Sequence, residues 1–296
     1  MNKKSMYRII KKSNLAPAIV MMEVEAPRVA KAAQPGQFVI VRAYSKAERI
    51  PLTIADIDKD RGTVTIVIQA LGASTRLISS MEENEHFENF AGPLGKASEL
   101  IHEDKETLLK KKIVFIAGGV GAAPIYPQVK FLHDIGCKPD VILGARNKEM
   151  IILEKELTSI SNKLWVVTDD GSHGSKGLVT NKLQEITAMG ATYDLAITIG
   201  PTIMMKFVAE LTKQLGIKTI ASLNAMMIDG TGMCGACRVS VGGKTRFTCV
   251  DGPEFDAHQI NFDEAIRRLS MYKTQESEKL TGTVEKQHTC KIGRSK

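Results

Sequence analysis

Three cysteines and one aspartate lie close together near the carboxyl end of the sequence. Cys234 and Cys237 form a C-x2-C pair, and Cys249 follows after eleven intervening residues. Plant-type two-iron clusters use C-x4-C-x2-C and one more distant cysteine, and Asp229 stands at the position of the first of these cysteines. A carboxylate carries the charge of a thiolate, so Asp229 would keep the charge of a [2Fe–2S] site while replacing a soft ligand by a hard one. The five glycines between Asp229 and Cys249 let the backbone approach a cluster closely.

The residues alone leave three other interpretations of this group open. Asp229 and the three cysteines could hold a structural zinc ion, although zinc sites prefer four cysteines or a mixture with histidine. Cys290 could be the fourth cluster ligand, with Asp229 as part of an Asp-Gly turn. The C-x2-C pair could be a redox dithiol, which would leave Cys249 without a role. A disulfide framework is excluded, because five is an odd number of cysteines and two of them stand alone.

A glycine-rich turn is the second group with possible chemistry. In FIAGGVGAAP (115–124), Gly118, Gly119 and Gly121 would let a nucleotide pyrophosphate approach the backbone at the start of a helix. The run departs from G-x-G-x-x-G at Pro124, although proline suits the first helical turn. Taken alone, the motif also fits an ordinary tight connection between a strand and a helix.

Three further loops are predicted at the same rim, in residues 144–146, 168–177 and 200–205. Arg146 could meet a phosphate, and Asp169 or Asp170 a ribose hydroxyl or the nicotinamide amide; a solvated turn is the alternative for the aspartates. The candidate residues of this rim are Gly118, Gly119, Gly121, Ala122, Pro124, Gly144, Ala145, Arg146, Asp169, Asp170, Gly171, Gly200, Pro201 and Met204.

RIPLTI (49–54) could contribute to a flavin site at the entry of a strand. Arg49 could pair with a flavin pyrophosphate and Thr53 could donate a hydrogen bond to the isoalloxazine. LGAST (71–75) opens a helix and could bind the same diphosphate, and GPLGK (92–96), with Gly92, is a further loop near the domain junction.

The elements that must position these residues are of two kinds. Strand-like segments at 15–22, 36–44, 51–57 and 62–71, with a short helix at 73–81, predict a small antiparallel barrel or sandwich. After a lysine-rich connector at 105–112, apolar strands alternate with helices, which predicts an open parallel α/β sheet with ligand-binding loops at the strand carboxyl ends. The predicted strands are 113–118, 139–146, 163–170, 193–200 and 218–223, and the predicted helices are 123–136, 151–161, 177–189 and 201–216.

Length and charge set the remaining limits. The 296 residues predict a barrel domain at 1–104, an α/β domain at 105–223, a small cysteine domain at 224–271 and a flexible polar tail at 272–296. Of the net charge of +7, the two ends carry +8 and the residues between them −1, so a basic groove for nucleic acid is not expected. No apolar run approaches the ~20 residues that cross a bilayer, and we expect a soluble, cytoplasmic protein without a membrane partner.

Taken together, these motifs resemble the ferredoxin–NADP reductase superfamily. Within it, the chain is similar to the electron-transfer subunits of dihydroorotate dehydrogenase. It resembles still more the small subunits of NADH-dependent reduced ferredoxin:NADP oxidoreductases, which are also called sulfide dehydrogenase subunits. RIPLTIADID, TDDGSHGSKG and MIDGTGMCGACRVSVGGKTRFTCVDGPEFD carry the resemblance, which covers about residues 5–270. Aspartate at position 229 separates this group from the dihydroorotate subunits, which have cysteine there.

The resemblance implies three cofactors: FAD, NAD(H) and a [2Fe–2S] cluster. FAD would lie on the barrel, NAD(H) at the rim loops, and the cluster on Asp229, Cys234, Cys237 and Cys249. No side chain is expected to act as an acid or base, since hydride passes from the nicotinamide to the flavin. The implied FAD residues are Arg49, Pro51, Leu52 and Thr53, with Gly72, Ser74 and Thr75 nearby.

The implied activity is that of an electron-transfer subunit in a heteromeric oxidoreductase. Electrons would pass to a larger subunit with FAD and [4Fe–4S] clusters that binds NADP(H), and the complex would perform flavin-based electron bifurcation with ferredoxin. The alternatives are a stand-alone NAD(P)H diaphorase, a sulfide- or polysulfide-linked reductase subunit, and a redox-sensing module.

Overall fold

The computed structural model describes residues 7–279, and its first part is a six-stranded antiparallel sheet. The strands are β1 (Ile9–Ala16), β2 (Ile19–Glu25), β3 (Phe38–Arg42), β4 (Ile50–Asp58), β5 (Thr63–Gln69) and β6 (Asn89–Leu94). Their spatial order is β1-β2-β5-β4-β3-β6. Two short helices, α1 (Pro27–Ala32) and α2 (Ala73–Ser79), accompany the sheet. The single strand predicted over 15–22 is wrong, because the chain turns at Pro17 and Ala18 to form the β1–β2 hairpin.

The two edges of this sheet meet through backbone hydrogen bonds. The Ile9 N–H donates to the Glu85 carbonyl at 2.9 Å, and the Asn84 N–H donates to the Ile9 carbonyl at 2.8 Å. These bonds join the start of β1 to the segment that leads into β6, so the sheet curls into a barrel. Alternate side chains such as Val39 and Ile66 fill its interior and are fully buried.

The second part is a parallel sheet covered by helices. It contains β7 (Ile113–Gly118), α4 (Ala122–Asp134), β8 (Asp140–Ala145), α5 (Glu154–Ile160), β9 (Leu164–Thr168), β10 (Ser175–Lys176), α6 (Val179–Ala188), β11 (Leu195–Ile199), α7 (Thr202–Gln214) and β12 (Lys218–Ser222), and α3 (Lys105–Lys110) precedes it. In the strand order β10-β9-β8-β7-β11-β12, the strands that follow β7 are added first on one side of it and later, from β11, on its other side. Such a reversal opens a ligand crevice at the strand carboxyl ends.

The third part is joined to the parallel sheet. It contains β13 (Arg238–Val241), β14 (Lys244–Phe247), α8 (Thr248–Asp251), β15 (Glu254–Asp256) and α9 (Phe262–Leu269). β15 pairs antiparallel with β12, so the sheet continues across the domain boundary predicted after residue 223. Within the flexible tail predicted from residue 272, residues 273–279 are helical, and residues 280–296 lie outside the described part. Within residues 7–279, no helix is both long and apolar enough to span a membrane.

Barrel and parallel sheet share one hydrophobic core. Ile19 and Ala55 of the barrel belong to the same buried cluster as Phe115 of β7 and Ile125 of α4. At the edge of this interface, Lys130 Nζ lies 2.8 Å from an oxygen of Asp56 on β4. The two parts therefore form one packed unit, which fixes the rim loops relative to the barrel.

We expect Leu100→Ala to destabilise the barrel and the α/β part together. Leu100 is 1% exposed in the shared core, and a buried leucine cut to alanine costs about 2–5 kcal/mol. Leu109 is 47% exposed, so Leu109→Ala is a matched control that should change the free energy of unfolding by less than about 0.5 kcal/mol. The measurement is chemical denaturation followed by far-ultraviolet circular dichroism. Two separate transitions, of which the substitution moves only one, would contradict a shared core.

Candidate functional site

The cysteine loop packs on the outer face of β3. Val39 points into the barrel, so Phe38 and Ile40 point outward, where they form a buried cluster with Met227 and two of the cysteines. Gly230 has a φ of +83°, and a Cβ atom there would lie 2.5 Å from the Ile40 side chain. The loop thus touches the strand so closely that a side chain at this glycine would collide with it.

Within the loop, the four predicted ligands fall into two pairs. The sulfur atoms of Cys237 and Cys249 lie 3.2 Å apart; both residues are buried and form no disulfide. Cys234 is exposed, and it interacts electrostatically with Asp229. Within the C-x2-C motif, Cys237 therefore has Cys249 as its close sulfur neighbour, which gives the third cysteine a place beside the motif.

The electrostatic environment differs between the two pairs. Backbone N–H groups around Cys234, first that of Ala236, lower the pKa of its thiol. A hydrogen bond from Thr231 holds the pKa of Asp229 below its usual range, and the charge of Arg49 contributes. Burial, together with the neighbouring Cys237, raises the pKa of Cys249 to about 12. An added positive charge would therefore stabilise a Cys249 thiolate that the protein alone does not stabilise.

The residues of this loop are of the types that ligate an iron–sulfur cluster. In the part of the chain that the structure describes, no three His, Cys, Asp or Glu side chains are close enough to hold one ion. Structural zinc needs four ligands around one centre, whereas a [2Fe–2S] cluster divides its four ligands between two irons. Two pairs of side chains match that division. Cys290, the alternative fourth ligand, lies outside the described residues.

The predicted flavin strand lies beside the cysteine loop. In the β3–β4 register, Thr53 is opposite Phe38, so the two side chains share the outward face. Pro51 is opposite Ile40 on that face, and Arg49 is exposed just before β4. Leu52 alternates inward and packs against the barrel core, so its side chain cannot face a ligand there.

The predicted diphosphate loop is already ordered by its own side chains. The Thr75 hydroxyl accepts hydrogen bonds from the N–H groups of Leu71 and Gly72 at 3.1 and 3.0 Å, which fixes the start of α2. Ser74 Oγ donates to the carboxylate of Glu48, which also contacts Lys279 Nζ. The contact of Glu48 with this loop could not be predicted from the sequence, because its partners are distant from it along the chain. Space above Gly72 is open.

At the rim, most of the predicted glycines serve close packing. A Cβ on Gly121 would lie 2.3 Å from the Ile199 carbonyl oxygen, and one on Gly118 would lie 2.4 Å from Met204 Sδ. The turn after β7 is thus pressed against the loop after β11. Gly119 differs, since it has a φ of +56° and no atom lies within 4 Å of the position of a Cβ. A Cβ would also be too close to a neighbour at three other glycines. On Gly200 it would meet Gly118, on Gly144 it would meet Val179, and on Gly92 it would meet Val39.

The remaining rim residues divide by their contacts. The Asp170 carboxylate accepts hydrogen bonds from the backbone N–H and hydroxyl of Ser172 at 2.9 and 2.7 Å, which lower its pKa and shape the loop at Gly171. Asp169 and Arg146 are exposed and have no side-chain partner among residues 7–279. These two remain the charged groups available to a ligand. Ala122 is buried, and Pro124, Ala145 and Pro201 line the same turns.

One contact of this loop was missed from the sequence. His173 Nε2 lies 2.9 Å from the carboxylate of Glu154 on α5, and its backbone N–H donates to Thr168 Oγ1 at 3.1 Å. These contacts anchor the loop that carries Asp169. His173 and Glu154 are nineteen positions apart in the chain, so local patterns do not reveal the pairing.

Comparisons with known proteins match the two regions that contain these residues separately. Residues 224–261 match the family model of the iron–sulfur cluster binding domain of dihydroorotate dehydrogenase B. Residues 115–210 match that of the oxidoreductase NAD-binding domain. The four predicted cluster ligands lie within the first match, and the predicted rim residues from Gly118 to Met204 lie within the second.

Whole-length relatives give the same result. A Clostridium beijerinckii protein described as an uncharacterized protein in the adh 3′ region is 56% identical over 92% of this chain and 92% of its own. The dihydroorotate dehydrogenase B (NAD(+)) electron transfer subunit homolog of Thermotoga maritima is 40% identical over 92% of this chain and 93% of its own. A chain from an NADH-dependent reduced ferredoxin-NADP oxidoreductase, a structure described as giving insights into flavin-based electron bifurcation, is 38% identical. It has a TM-score of 0.87 and covers 96% of this chain and 100% of its own. These matches confirm the predicted resemblance and fold class.

We expect the cluster-free protein to be alkylated first at Cys234. The thiolate is the nucleophile, so the lowered pKa of Cys234 keeps it reactive as the pH falls, whereas Cys249, with a pKa of about 12, stays protonated at neutral pH. Iodoacetamide at about pH 7 should modify Cys234 at least about 100-fold faster than Cys249. Peptide mass spectrometry over a time course measures both rates. Equal rates in the folded protein would contradict the paired arrangement.

Proposed function

The chain belongs to the family of dihydroorotate dehydrogenase B electron-transfer subunits and their homologues, and we propose that it is the NADH-linked small subunit of a bifurcating oxidoreductase. As a member of this family, it is an NAD(H)-dependent flavin and iron–sulfur oxidoreductase subunit. The finer proposal is that electrons pass between NAD(H), FAD and a [2Fe–2S] cluster, and on to a larger subunit. The observation that carries it is the common outer face of β3 and β4. The cysteine loop packs on this face at β3, and the predicted flavin-binding residues of β4 lie beside it.

The chain's residues bind and orient the cofactors, and hydride transfer itself requires none of them as a general acid or base. FAD, when bound, accepts a hydride from the nicotinamide and passes on single electrons. Pro51 and Thr53 present an outward surface for the flavin, and Arg49 presents a cation for its pyrophosphate. The crevice between β7 and β11 offers Gly119, Asp169 and the neighbouring loops to the nicotinamide nucleotide.

Asp229, Cys234, Cys237 and Cys249 would hold the cluster. Cys237 and Cys249 are buried, Asp229 is half-buried and Cys234 is exposed, which supports two irons at different depths. Arg49 acts electrostatically on Asp229, so the residue proposed for the flavin pyrophosphate is also near the proposed outer cluster ligand. Flavin and cluster would therefore be neighbours on one surface.

An apolar surface around Asp229 and the exposed Cys234 supports docking of a partner there. Met233 is 88% exposed and Ile228 is 58% exposed, and both flank the loop that carries Asp229 and Cys234. Exposed apolar groups beside a redox centre favour an interface over a solvated face. We propose that these apolar side chains contact a larger NADP-binding subunit with FAD and [4Fe–4S] clusters, and that this subunit exchanges electrons with ferredoxin. A stand-alone diaphorase gives no reason for this surface.

We expect Asp229→Ala to remove or alter the cluster while flavin reduction persists. Losing one of four ligands should lower cluster content per flavin by about tenfold or more. Asp229→Cys, which restores four ligands with the same charge, should retain the cluster with a changed electron-spin spectrum. The measurement is anaerobic titration of the holoprotein with NADH, followed by visible and electron-spin spectroscopy. An unaltered cluster signal in Asp229→Ala would remove Asp229 from the ligand set, and a protein with zinc and no flavin would end the proposal.

We expect Met233→Glu to weaken the complex with the larger subunit. A buried charge without a partner in the interface should raise the dissociation constant at least about tenfold, or about 1.4 kcal/mol. Met189 is 77% exposed at the end of α6, so Met189→Glu is a matched control that should leave the complex intact. Size-exclusion chromatography of the co-expressed subunits measures the effect. Equal behaviour of the two variants would place the interface elsewhere.

A further inference from the structure

A buried carboxyl group lies where the three parts of the molecule meet. Glu254 is on β15, opposite Ser222 of β12. One of its oxygens, Oε1, accepts a hydrogen bond from Gln128 Nε2 of α4 at 2.7 Å, and Gln128 Oε1 in turn accepts one from Ser98 Oγ at 3.2 Å. The other oxygen, Oε2, is buried and has no hydrogen-bond partner among residues 7–279.

Two chain segments next to this carboxyl group continue into the elements that carry the proposed cofactor sites. A Cβ on Gly36 would lie 3.3 Å from Glu254 Oε1, and Gly36 is two residues before Phe38 on the shared outer face. On the other side, Glu254 follows Cys249 by five residues, and the carbonyl oxygen of Gly252 accepts a hydrogen bond from the Lys96 N–H at 2.7 Å. The carboxyl group therefore adjoins the segment that leads into β3 and belongs to the segment that follows Cys249.

No positive charge compensates this carboxyl group. Glu99, in the short helix after Ser98, is the charged side chain that acts on it, and its charge has the same sign. The other groups on the elements around it are neutral or turned away: Gln34 and Gln37 are amides, Lys96 is exposed, and Lys130 pairs with Asp56. On its own strand, Asp256 bonds to the His258 N–H. Burial raises the pKa of Glu254 to about 7, and the polar side chains of Ser98 and Gln128 oppose this rise.

We propose that Glu254 is a redox-linked proton site, which takes up a proton from solvent when the neighbouring cofactors gain electrons and releases it when they are oxidised. This inference rests on the proposed function, because it requires the flavin and the cluster to be present. An electron added nearby introduces negative charge, and in a protein interior that charge strengthens proton binding to a carboxylate. Linkage makes the effect reciprocal, so protonation of Glu254 raises the reduction potential of the cofactors. The proton goes to a carboxylate oxygen, the electron goes to the cofactor, and no other bond is made or broken.

A structural role alone would not produce this linkage. Glutamine at position 254 has the same shape and can still accept the hydrogen bond from Gln128 through its amide oxygen, but it cannot bind a proton at neutral pH. Glu254→Gln therefore separates the packing of the three parts from proton uptake. Glu99→Gln is the control, because it removes a neighbouring acid without removing the proposed proton site.

The test is a potentiometric titration of the anaerobic holoprotein between about pH 6 and 8.5, with the cluster followed by its electron-spin signal. A visible spectrum recorded first shows whether flavin and cluster are present, so a failure of the proposed function is detected before any potential is measured. In the wild type we expect the cluster potential to fall with rising pH between two plateaus. A tenfold rise in proton affinity on reduction corresponds to 59 mV for this one-electron couple.

Glu254→Gln should give a cluster potential that no longer changes with pH, whereas Glu99→Gln should keep the change and move its midpoint to lower pH. Gln128→Leu removes a hydrogen bond that lowers the proton affinity of Glu254, so it should move the midpoint of the pH dependence to higher pH. This variant provides the test if Glu254→Gln does not fold. A pH-independent potential in the wild type would overturn the proposal. So would an unchanged pH dependence in Glu254→Gln, or an unmoved midpoint in Gln128→Leu.

Discussion

The contact between the cysteine loop and the outer face of β3 is the constraint on which the rest of the site depends. Phe38 and Ile40 cannot enter the barrel, because the alternation of the strand gives that side to Val39 and Val41. They bury their surface under the cysteine loop instead. β4 lies one strand spacing away, about 4.8 Å, and presents Thr53 on the same side. The separation of the two proposed cofactors is therefore set by a sheet geometry and not by a flexible connection.

A second level of organisation holds the nucleotide crevice against this face. The apolar cluster that includes Ile19, Phe115 and Ile125 spans the barrel and the parallel sheet, so the two parts are not joined by the linker alone. At the crevice itself, Gly118 and Gly121 permit backbone contacts that any side chain would block. Rigid placement of this kind suits electron and hydride transfer, in which the protein contributes mainly distance and orientation.

Periodicity and spacing predicted the elements well, because these signals are local. The continuous apolar run of β7 and the alternating strands of the barrel are examples, and the spacing of the cysteines identified the cluster loop. What could not be predicted depends on contacts between distant segments. The pairing of Cys237 with Cys249, the engagement of Ser74 by Glu48 and the burial of Glu254 all arise from the folded arrangement. Leu52 shows a further limit: a motif identifies a strand, but only the register shows which face of the strand each side chain occupies.

The pairing of β15 with β12 also limits how this protein can be divided or assembled. The last strand of the parallel sheet is encoded after all three clustered cysteines, so the sheet edge is completed only when synthesis has passed residue 256. The cysteine region is consequently not an independent domain, because its removal or exchange would break the pairing of β15 with β12. The cysteine loop is also synthesised before the strand that closes the sheet, so the loop cannot take its final place against a completed sheet until that strand has formed.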